Sequence, residues 1–323
     1  MRSLPYVTGL AAALVLAAAV PAGADEDGRF TIEDPRITES SGLAASRAHP
    51  GIYWTHNDQD EPRVFAVDSA TGKTVATITL QGVGTPRDME AVSVGADGNV
   101  YVGDIGDNLD GGWDHVWIYR FREPSRLHDQ TVHATQFVVK YADGPRNAEA
   151  LMVHPKTGRV YIASKNEEGG GLYEGPARLS ASGTNTFRRI GEVPWVTDGA
   201  FSPDGEELVL RSYFSARGYA WENGRLGADH RVRAPIQGQA ESVTYTLDGK
   251  ALLFGTEGEQ STVERVELPR EEEGSGGGSA RPGGGEASGA GGGDEEADVT
   301  TYGLLVLGGG ALLVFALRRR RRG

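Results

Sequence analysis

Hydrophobic and polar residues alternate in short runs through the middle of the chain, and the runs return in pairs. Each pair flanks a tight turn, and the turns are Pro50-Gly51, Asp97-Gly98, Thr157-Gly158, Asp204-Gly205 and Asp248-Gly249. Asp-Gly between alternating hydrophobic segments is the strongest short-range signal for a β-hairpin. The pattern therefore predicts an all-β chain built from five related hairpins.

A polar residue opens the first run of every pair, and these residues give the spacing of the repeat. They are Ser41, Glu90, Glu149, Asp198 and Glu241. Repeats of about 40–50 residues with several strands each are typical of β-propeller blades. We predict a β-propeller, with a β-sandwich as the competing interpretation.

The number of runs predicts how the ring closes. A third run follows in all five units and a fourth in only four, so the last unit lacks one strand. The N-terminal run Arg29-Phe30-Thr31-Ile32-Glu33-Asp34 supplies it. We predict five four-stranded blades closed by this strand, which pairs beside 262–267, because closure removes an open sheet edge. Six blades is the alternative count.

The N-terminal end predicts export. Arg2 precedes an apolar run at 10–20, and the small residues Ala22-Gly23-Ala24 follow it. A basic start, a short apolar core and an A-x-A site are typical of a secretory signal peptide. We expect 1–24 to be removed, and a retained membrane anchor is the alternative.

The C-terminal end predicts a membrane anchor. The segment 299–317 has no charged residue and precedes five consecutive arginines. Its length suits one transmembrane helix, and the arginines are expected to stay in the cytoplasm as the tail 318–323. A sorting tail that is later cleaved is the alternative.

The middle of the chain is therefore expected outside the cell, on a single-pass membrane protein. Residues 25–270 form the predicted β-propeller ectodomain, and 271–298 is a predicted disordered stalk with eleven glycines and eight acidic residues. A net charge of −13 argues against a nucleic-acid partner. The absence of cysteine excludes disulfides and thiol chemistry. We expect a monomer whose partners are the membrane, through the C-terminal helix, and an unidentified small-molecule, glycan or protein ligand.

Candidate metal ligands follow from the repeat itself. The first strand of each propeller blade lines the central channel, so residues at equivalent positions face one another. Four of these positions are acidic, and the predicted metal ligands are Glu90, Glu149, Asp198 and Glu241. Calcium suits such a set of oxygen ligands. Alternatively, arginine and lysine side chains neutralise the ring as ion pairs.

Candidate ligand-binding residues flank these acids. Pro86-Arg87-Asp88-Met89-Glu90 and Pro145-Arg146-Asn147-Ala148-Glu149 are internal copies, each with an arginine three residues before its glutamate. Other polar residues end the second runs and are expected on the same face. The predicted ligand-binding set is His56, Asn57, Arg87, Asp88, Asp104, Arg146, Asn147, Lys165 and Arg211.

Three segments carry a resemblance to known families. They read V-G-D-I-G-D-N at 102–108, W-I-Y-R-F-R-E-P at 117–124 and D-G-P-R-N-A-E-A-L at 143–151. The chain resembles a group of uncharacterised secreted bacterial β-propellers with this DIGDN motif. More distantly it is similar to the esterase-like phytase and SMP-30/gluconolactonase propellers. The first resemblance implies a propeller outside the cell. The second implies channel carboxylates that hold a divalent cation, carried over by blade position to the four acids above.

Two functions are compatible with these features. The first is a binding or scaffold module at the cell surface, with a small-molecule, glycan or protein ligand. The alternative is a calcium-dependent hydrolase of phosphoester or lactone type, because a bound cation can activate water. The sequence contains no G-x-S-x-G, H-E-x-x-H or phosphate-binding glycine motif. Whether the protein is an enzyme therefore stays open at this point.

Overall fold

The computed structural model describes residues 28–58, 61–109 and 111–269. This part of the chain contains β-strands and turns and no α-helix, which confirms the prediction of an all-β fold. The predicted signal peptide, stalk, transmembrane helix and tail lie outside the described residues. Within those residues, no helix has the length and apolar character needed to cross a membrane.

The strands follow one another in repeated groups of four. A short strand β1 (Phe30–Thr31) comes first. The first group is β2 (Ala44–Ala45), β3 (Ile52–Thr55), β4 (Arg63–Asp68) and β5 (Thr74–Gln81). The second is β6 (Met89–Val94), β7 (Asn99–Asp104) and β8 (Val116–Arg122), then, after a short β9 (Gln130–His133), β10 (Thr135–Tyr141).

The remaining groups repeat this arrangement. The third is β11 (Ala148–Val153), β12 (Val160–Ser164), β13 (Gly170–Glu174) and β14 (Thr184–Val193). The fourth is β15 (Asp198–Phe201), β16 (Glu207–Arg211), β17 (Ala216–Glu222) and β18 (Arg225–Val232). The fifth is β19 (Ala240–Tyr245), β20 (Ala251–Thr256) and β21 (Thr262–Glu267). Consecutive strands within a group pair antiparallel, and β10 takes the outer place beside β8 in the second group.

Two parallel pairings join neighbouring groups at their outer edges. β9 lies beside β5, and β14 lies beside β10, so the second and third groups share one eight-stranded sheet. The fourth run of the second unit spans 131–141 in the sequence, and one strand is expected there. The structure divides it at the buried Ala134, and the first half covers the edge of the preceding group instead. This covering protects backbone groups that an open edge would expose.

The N-terminal strand completes the fifth group, as its sequence predicted. Phe30 pairs with Val263, and the N–H of Ile32 donates to the carbonyl of Ser261 at 2.9 Å. Regular pairing covers only Phe30–Thr31 and is shorter than predicted. Phe30 and Ile32 are buried in a cluster that also contains Tyr53 and Val263, from the first and fifth groups. Strand β1 therefore fastens the two ends of the described chain together.

The first strands of the five groups form a closed ring. β2, β6, β11, β15 and β19 contact one another in that order, and β19 contacts β2. First strands all begin at one end of this ring, where second strands also finish. We call that end the site face. The opposite end carries the turns between first and second strands, and we call it the hairpin face.

Closure by β1 predicts a large effect of one core substitution. Phe30→Ala should lower the free energy of unfolding by about 3–5 kcal/mol, because Phe30 is buried against Tyr53 with 5.8 Å between ring centroids. Val75→Ala, at a half-exposed position of β5, should change it by less than about 0.5 kcal/mol. Urea unfolding of both variants tests this. Equal midpoints for Phe30→Ala and the wild type would contradict closure by β1.

Candidate functional site

Three of the five first strands carry a β-bulge at their glutamate. The pairing register with the second strand shifts at Glu90 in β6, at Glu149 in β11 and at Glu241 in β19. A bulged residue is left out of the ladder and its side chain is re-aimed. All three glutamates are buried where their strands begin, at the site face. Asp198 occupies the same sequence position but pairs regularly with Arg211 in β16.

Three buried carboxylates converge beside the first of these bulges. One oxygen each from Asp58, Asp88 and Glu90 lies within 4.8 Å of the other two. Asp58 follows β3, and Asp88 precedes β6, so two neighbouring groups supply the set. A second such set joins Asp58 to the half-buried Glu39 and Glu257. The carboxylates thus lead from a buried cluster towards the surface of the site face. We call Asp58, Asp88 and Glu90 the acidic cluster.

Neighbouring loops position the acidic cluster. The Ser41 hydroxyl donates to Glu90 Oε2 at 2.9 Å, and Asn108 Nδ2 donates to Asp88 Oδ2 at 2.8 Å. Gly106 packs so closely that a Cβ atom there would lie 2.7 Å from Asp88 Cγ and 2.8 Å from Glu90 Cγ. The glycine and asparagine of the DIGDN motif therefore hold two carboxylates of the cluster. Burial raises the pKa of Glu90 well above its ordinary value, and Glu149, Asp88 and Asp58 raise it further.

A lysine neutralises the second bulged glutamate. Lys165 Nζ lies 2.8 Å from Glu149 Oε1. Burial alone would lower the pKa of Lys165, but Glu149, Glu241 and Glu90 outweigh that effect and hold it well above its ordinary value. The lysine therefore stays charged at neutral pH and is committed to Glu149. Its Nζ also lies 5.2 Å from the ring centroid of Tyr213.

The third bulged glutamate keeps a proton near neutral pH. Burial raises the pKa of Glu241 to about 8, against the lowering effect of Lys165 and with further increases from Glu149 and Glu257. Its Oε2 atom is buried and accepts no hydrogen bond from the part of the chain that the structure describes. Glu241 therefore has the properties of a carboxylic acid that can donate a proton at neutral pH.

Asp198 and Arg211 hold the sheets together rather than joining the acidic cluster. Asp198 accepts backbone hydrogen bonds from Gly199 at 2.7 Å and Val243 at 2.8 Å, one on each carboxylate oxygen. Arg211 Nη1 donates to the carbonyls of Ser242 and Gly255 at 2.6 and 2.8 Å. Burial raises the pKa of Asp198 and lowers that of Arg211 to about 10. These two predicted site residues tie β15 and β16 to the fifth group.

The two repeated arginines stack on aromatic rings. The Arg87 guanidinium lies 4.2 Å from the ring centroid of Trp113 and 3.8 Å from that of Trp117. Arg146 lies 4.7 Å from the Tyr173 centroid, and its Nη2 is 2.8 Å from Asp143 Oδ1. The shared sequence pattern therefore produces a shared aromatic packing. Lys165, rather than either arginine, is the cation paired with the bulged Glu149.

The other predicted residues position the loops of the site face. Asp104 accepts the Asp88 N–H at 2.8 Å, and Asn147 Oδ1 accepts the Asp107 N–H at 2.9 Å. Asn57 Oδ1 accepts the backbone N–H of Glu39 at 3.2 Å, which fixes the main chain at that residue. These residues orient the backbone on either side of the acidic cluster.

His56 lies beneath the face and is wholly buried. Burial lowers the pKa of its imidazole to about 4, and the backbone carbonyl of Asn57, 3.2 Å from Nδ1, opposes that shift. The ring is therefore neutral at physiological pH. A Cβ atom at Gly42 would lie 2.9 Å from its Nε2, so the ring packs tightly against that backbone.

Sequence reasoning did not assign a role to three acids and one aromatic patch. Asp58, Glu39 and Glu257 complete the carboxylate sets, and their signal was their place at strand ends on the site face. Trp195, Tyr213 and Phe214 form a chain of ring contacts with centroids 5.2 and 6.3 Å apart. Phe214 is 70% exposed, and Tyr213 connects this patch to Lys165.

Comparisons with known proteins identify similar structures. No protein-family model and no curated protein matches the chain. A gluconolactonase from Xanthomonas campestris is 16% identical, with a TM-score of 0.47, over 75% of this chain and 80% of that one. A glucose dehydrogenase is 11% identical, with a TM-score of 0.46, over 75% and 99%. A chain of a nidogen/laminin complex is 16% identical, with a TM-score of 0.42, over 67% and 72%. Nothing about activity follows from similarities of this size.

The raised pKa of Glu241 predicts a pH-dependent stability. The unfolded chain releases this proton near pH 4.3, whereas the folded protein keeps it to about pH 8. The folded state thus binds more protons within this window, so its stability falls as pH rises through it. Glu241→Gln should lose less thermal stability than the wild type between pH 5 and 8, measured in chelator. Glu267→Gln, at an exposed position, should follow the wild type. Parallel curves for all three proteins would contradict the shift.

Proposed function

We propose that residues 28–269 form a five-bladed β-propeller whose site face binds a divalent cation, calcium, in the acidic cluster. Five groups of four strands and the closed ring of first strands support the blade count. The pairing of β1 with β21 supports closure by the N-terminal strand. The protein is proposed to be exported and held in the membrane by 299–317, with this face available outside the cell.

The acidic cluster is the observation that carries the cation. Three buried carboxylates within 4.8 Å of one another repel each other when ionised, and a divalent cation relieves that repulsion. All three supply oxygen, which suits calcium. Asp58, Asp88 and Glu90 would hold it, and Glu39 and Glu257 lie on the path to solvent. Ser41 and Asn108 orient the inner carboxylates from outside the set.

The function that this arrangement supports best is binding. A calcium ion in the acidic cluster can accept further oxygen ligands from a small molecule, a glycan or a protein that reaches it past the half-buried Glu39 and Glu257. The aromatic patch of Trp195, Tyr213 and Phe214 offers an apolar surface beside Lys165 on the same face. A ligand that presents both oxygen atoms and a flat apolar surface fits this combination. The protein is therefore proposed to be a calcium-dependent binding module at the cell surface.

Glu241 favours one second function, a hydrolase of lactone or phosphoester type. Its carboxyl group has a pKa of about 8 and interacts with Glu149 and Glu257 at the edge of the cation path. A group that keeps its proton near neutral pH can protonate a leaving oxygen. A bound cation would supply polarisation of the substrate oxygen and a more acidic water. Glu241 is the residue proposed to hold and deliver the proton.

Calcium should stabilise the folded protein. At a hundredfold excess over Kd the gain is about 2.7 kcal/mol, and chelator should reverse it. Glu90→Gln should abolish the response, because it removes a carboxylate from the acidic cluster while keeping its shape. The exposed variant Glu267→Gln should respond like the wild type. Thermal unfolding with and without millimolar calcium measures this. No calcium response in the wild-type protein would contradict the cation site.

Hydrolysis is tested separately from binding. With calcium present, the hydrolase hypothesis expects turnover of a δ-lactone or of p-nitrophenyl phosphate. Glu241→Gln should lower kcat by about 10²–10⁴-fold, because it removes the proton donor, while the calcium response of Tm persists. If neither compound is hydrolysed while the calcium response is intact, only the binding function remains. Equal kcat values for wild type and Glu241→Gln would remove the proposed role of Glu241.

A further inference from the structure

A concave surface lies on the hairpin face, between the third and fourth strand groups. It is an open groove of about 930 Å³. The turn after β11, the turn between β15 and β16, and the turn between β17 and β18 form its rim. Among its lining residues are His154, Arg159, Tyr161, Glu174, Trp221 and Asn223. We call it the lateral groove. It is at the opposite end of the ring from the acidic cluster.

Trp221 forms a rigid apolar wall of the lateral groove. Its ring meets Tyr161 at 5.0 Å and Phe201 at 4.9 Å between centroids, with planes 82° and 77° apart. These edge contacts fix the indole while leaving it partly exposed. Strand β17 is irregular here, because its register with β18 shifts between Tyr219 and Trp221. Such a bulge re-aims a side chain.

The rim beside Trp221 is also fixed. Asn223 and Gly224 both have positive φ, 51° and 77°, which is the conformation of a two-residue type I′ hairpin turn. The backbone N–H of Trp221 donates to the carbonyl of Glu206 at 2.7 Å, which joins this hairpin to the turn between β15 and β16. The groove is therefore formed before any ligand arrives, so ligand binding does not carry the entropy cost of ordering these turns.

Four of the charged side chains that line the lateral groove form two ion pairs. Arg159 forms an ion pair with Glu174, and Lys156 Nζ lies 3.1 Å from Glu206 Oε1. Glu222 adds an exposed acid at the rim. Among the described residues that line the groove, both basic side chains are paired, so the groove has no excess positive charge to bind an anion. None of the converging carboxylate sets of the described residues lies here, so the groove offers no cation site. The electrostatics therefore favour a neutral ligand.

We propose that the lateral groove binds a neutral oligosaccharide. The apolar face of a pyranose ring packs against an aromatic wall such as Trp221, and its hydroxyls exchange hydrogen bonds with paired charges and an amide such as Asn223. The volume lies within the range of about 300–1,000 Å³ that ligand sites occupy. This site is separate from the proposed function, since no residue of the acidic cluster lines it.

Calorimetry on the full chain with cellotetraose, chitotetraose and maltotetraose tests the proposal. At least one of them should bind, and equally well in chelator. Trp221→Ala should weaken binding about tenfold or more, as truncation of a central aromatic contact does. Leu247→Ala changes a half-exposed residue on the hairpin face of another group and should leave binding intact. Tm is measured for each variant.

Asn223→Gly provides a second test of the proposal if Trp221→Ala does not fold. Glycine accepts the positive φ at this position, so the fold is kept while the amide is removed. Sugar affinity should still fall, by about three- to tenfold for one lost hydrogen bond. Three outcomes would overturn the proposal: no binding of any of the three sugars, unchanged affinity in folded Trp221→Ala, or binding that chelator abolishes. Preference for a heparin fragment over the neutral sugars would also overturn it.

Discussion

Carboxylates that converge away from water lose hydration and repel one another, and both effects raise the free energy of the ionised forms. The centre of this protein relieves that cost differently at each position. Glu149 is paired with Lys165, and Asp198 accepts two backbone N–H groups. Glu241 retains a proton near neutral pH. The acidic cluster receives hydroxyl and amide hydrogen bonds, and the repulsion among its three converging carboxylates is why a cation is proposed there.

The bulges explain how a repeat of similar strands produces unlike sites. Glu90, Glu149 and Glu241 are each displaced from the ladder, whereas Asp198 pairs within it. Asp198 has a short side chain, and the N–H of the next residue, Gly199, donates a hydrogen bond to its carboxylate. The strand that carries Asp198 stays in register with its partner, β16. One register shift therefore separates a carboxylate that reaches the centre of the ring from one that crosslinks sheets.

The five hairpins and the pairing of β1 were predictable because turn signals and the count of alternating runs are local properties of the sequence. The division of 131–141 at Ala134 was not, since it depends on the neighbouring group whose edge β9 covers. The equivalence of the four acidic positions could be predicted from the repeat. The bulges could not, because they depend on how each first strand pairs with its second strand. The sequence likewise pointed Arg87 and Arg146 towards the carboxylates, whereas aromatic rings brought near by folding hold both.

Pairing between β1 and β21 also constrains the order of folding. Phe30 is among the first residues of the described chain to be synthesised, and its partner Val263 is among the last. Joining such distant segments requires a large loss of chain entropy, so contacts of this kind form late and slowly. The ring therefore cannot shut until β21 has been synthesised. Until then each partial chain presents two unpaired strand edges, and a chain that stops before β21 would be a substrate for aggregation or proteolysis.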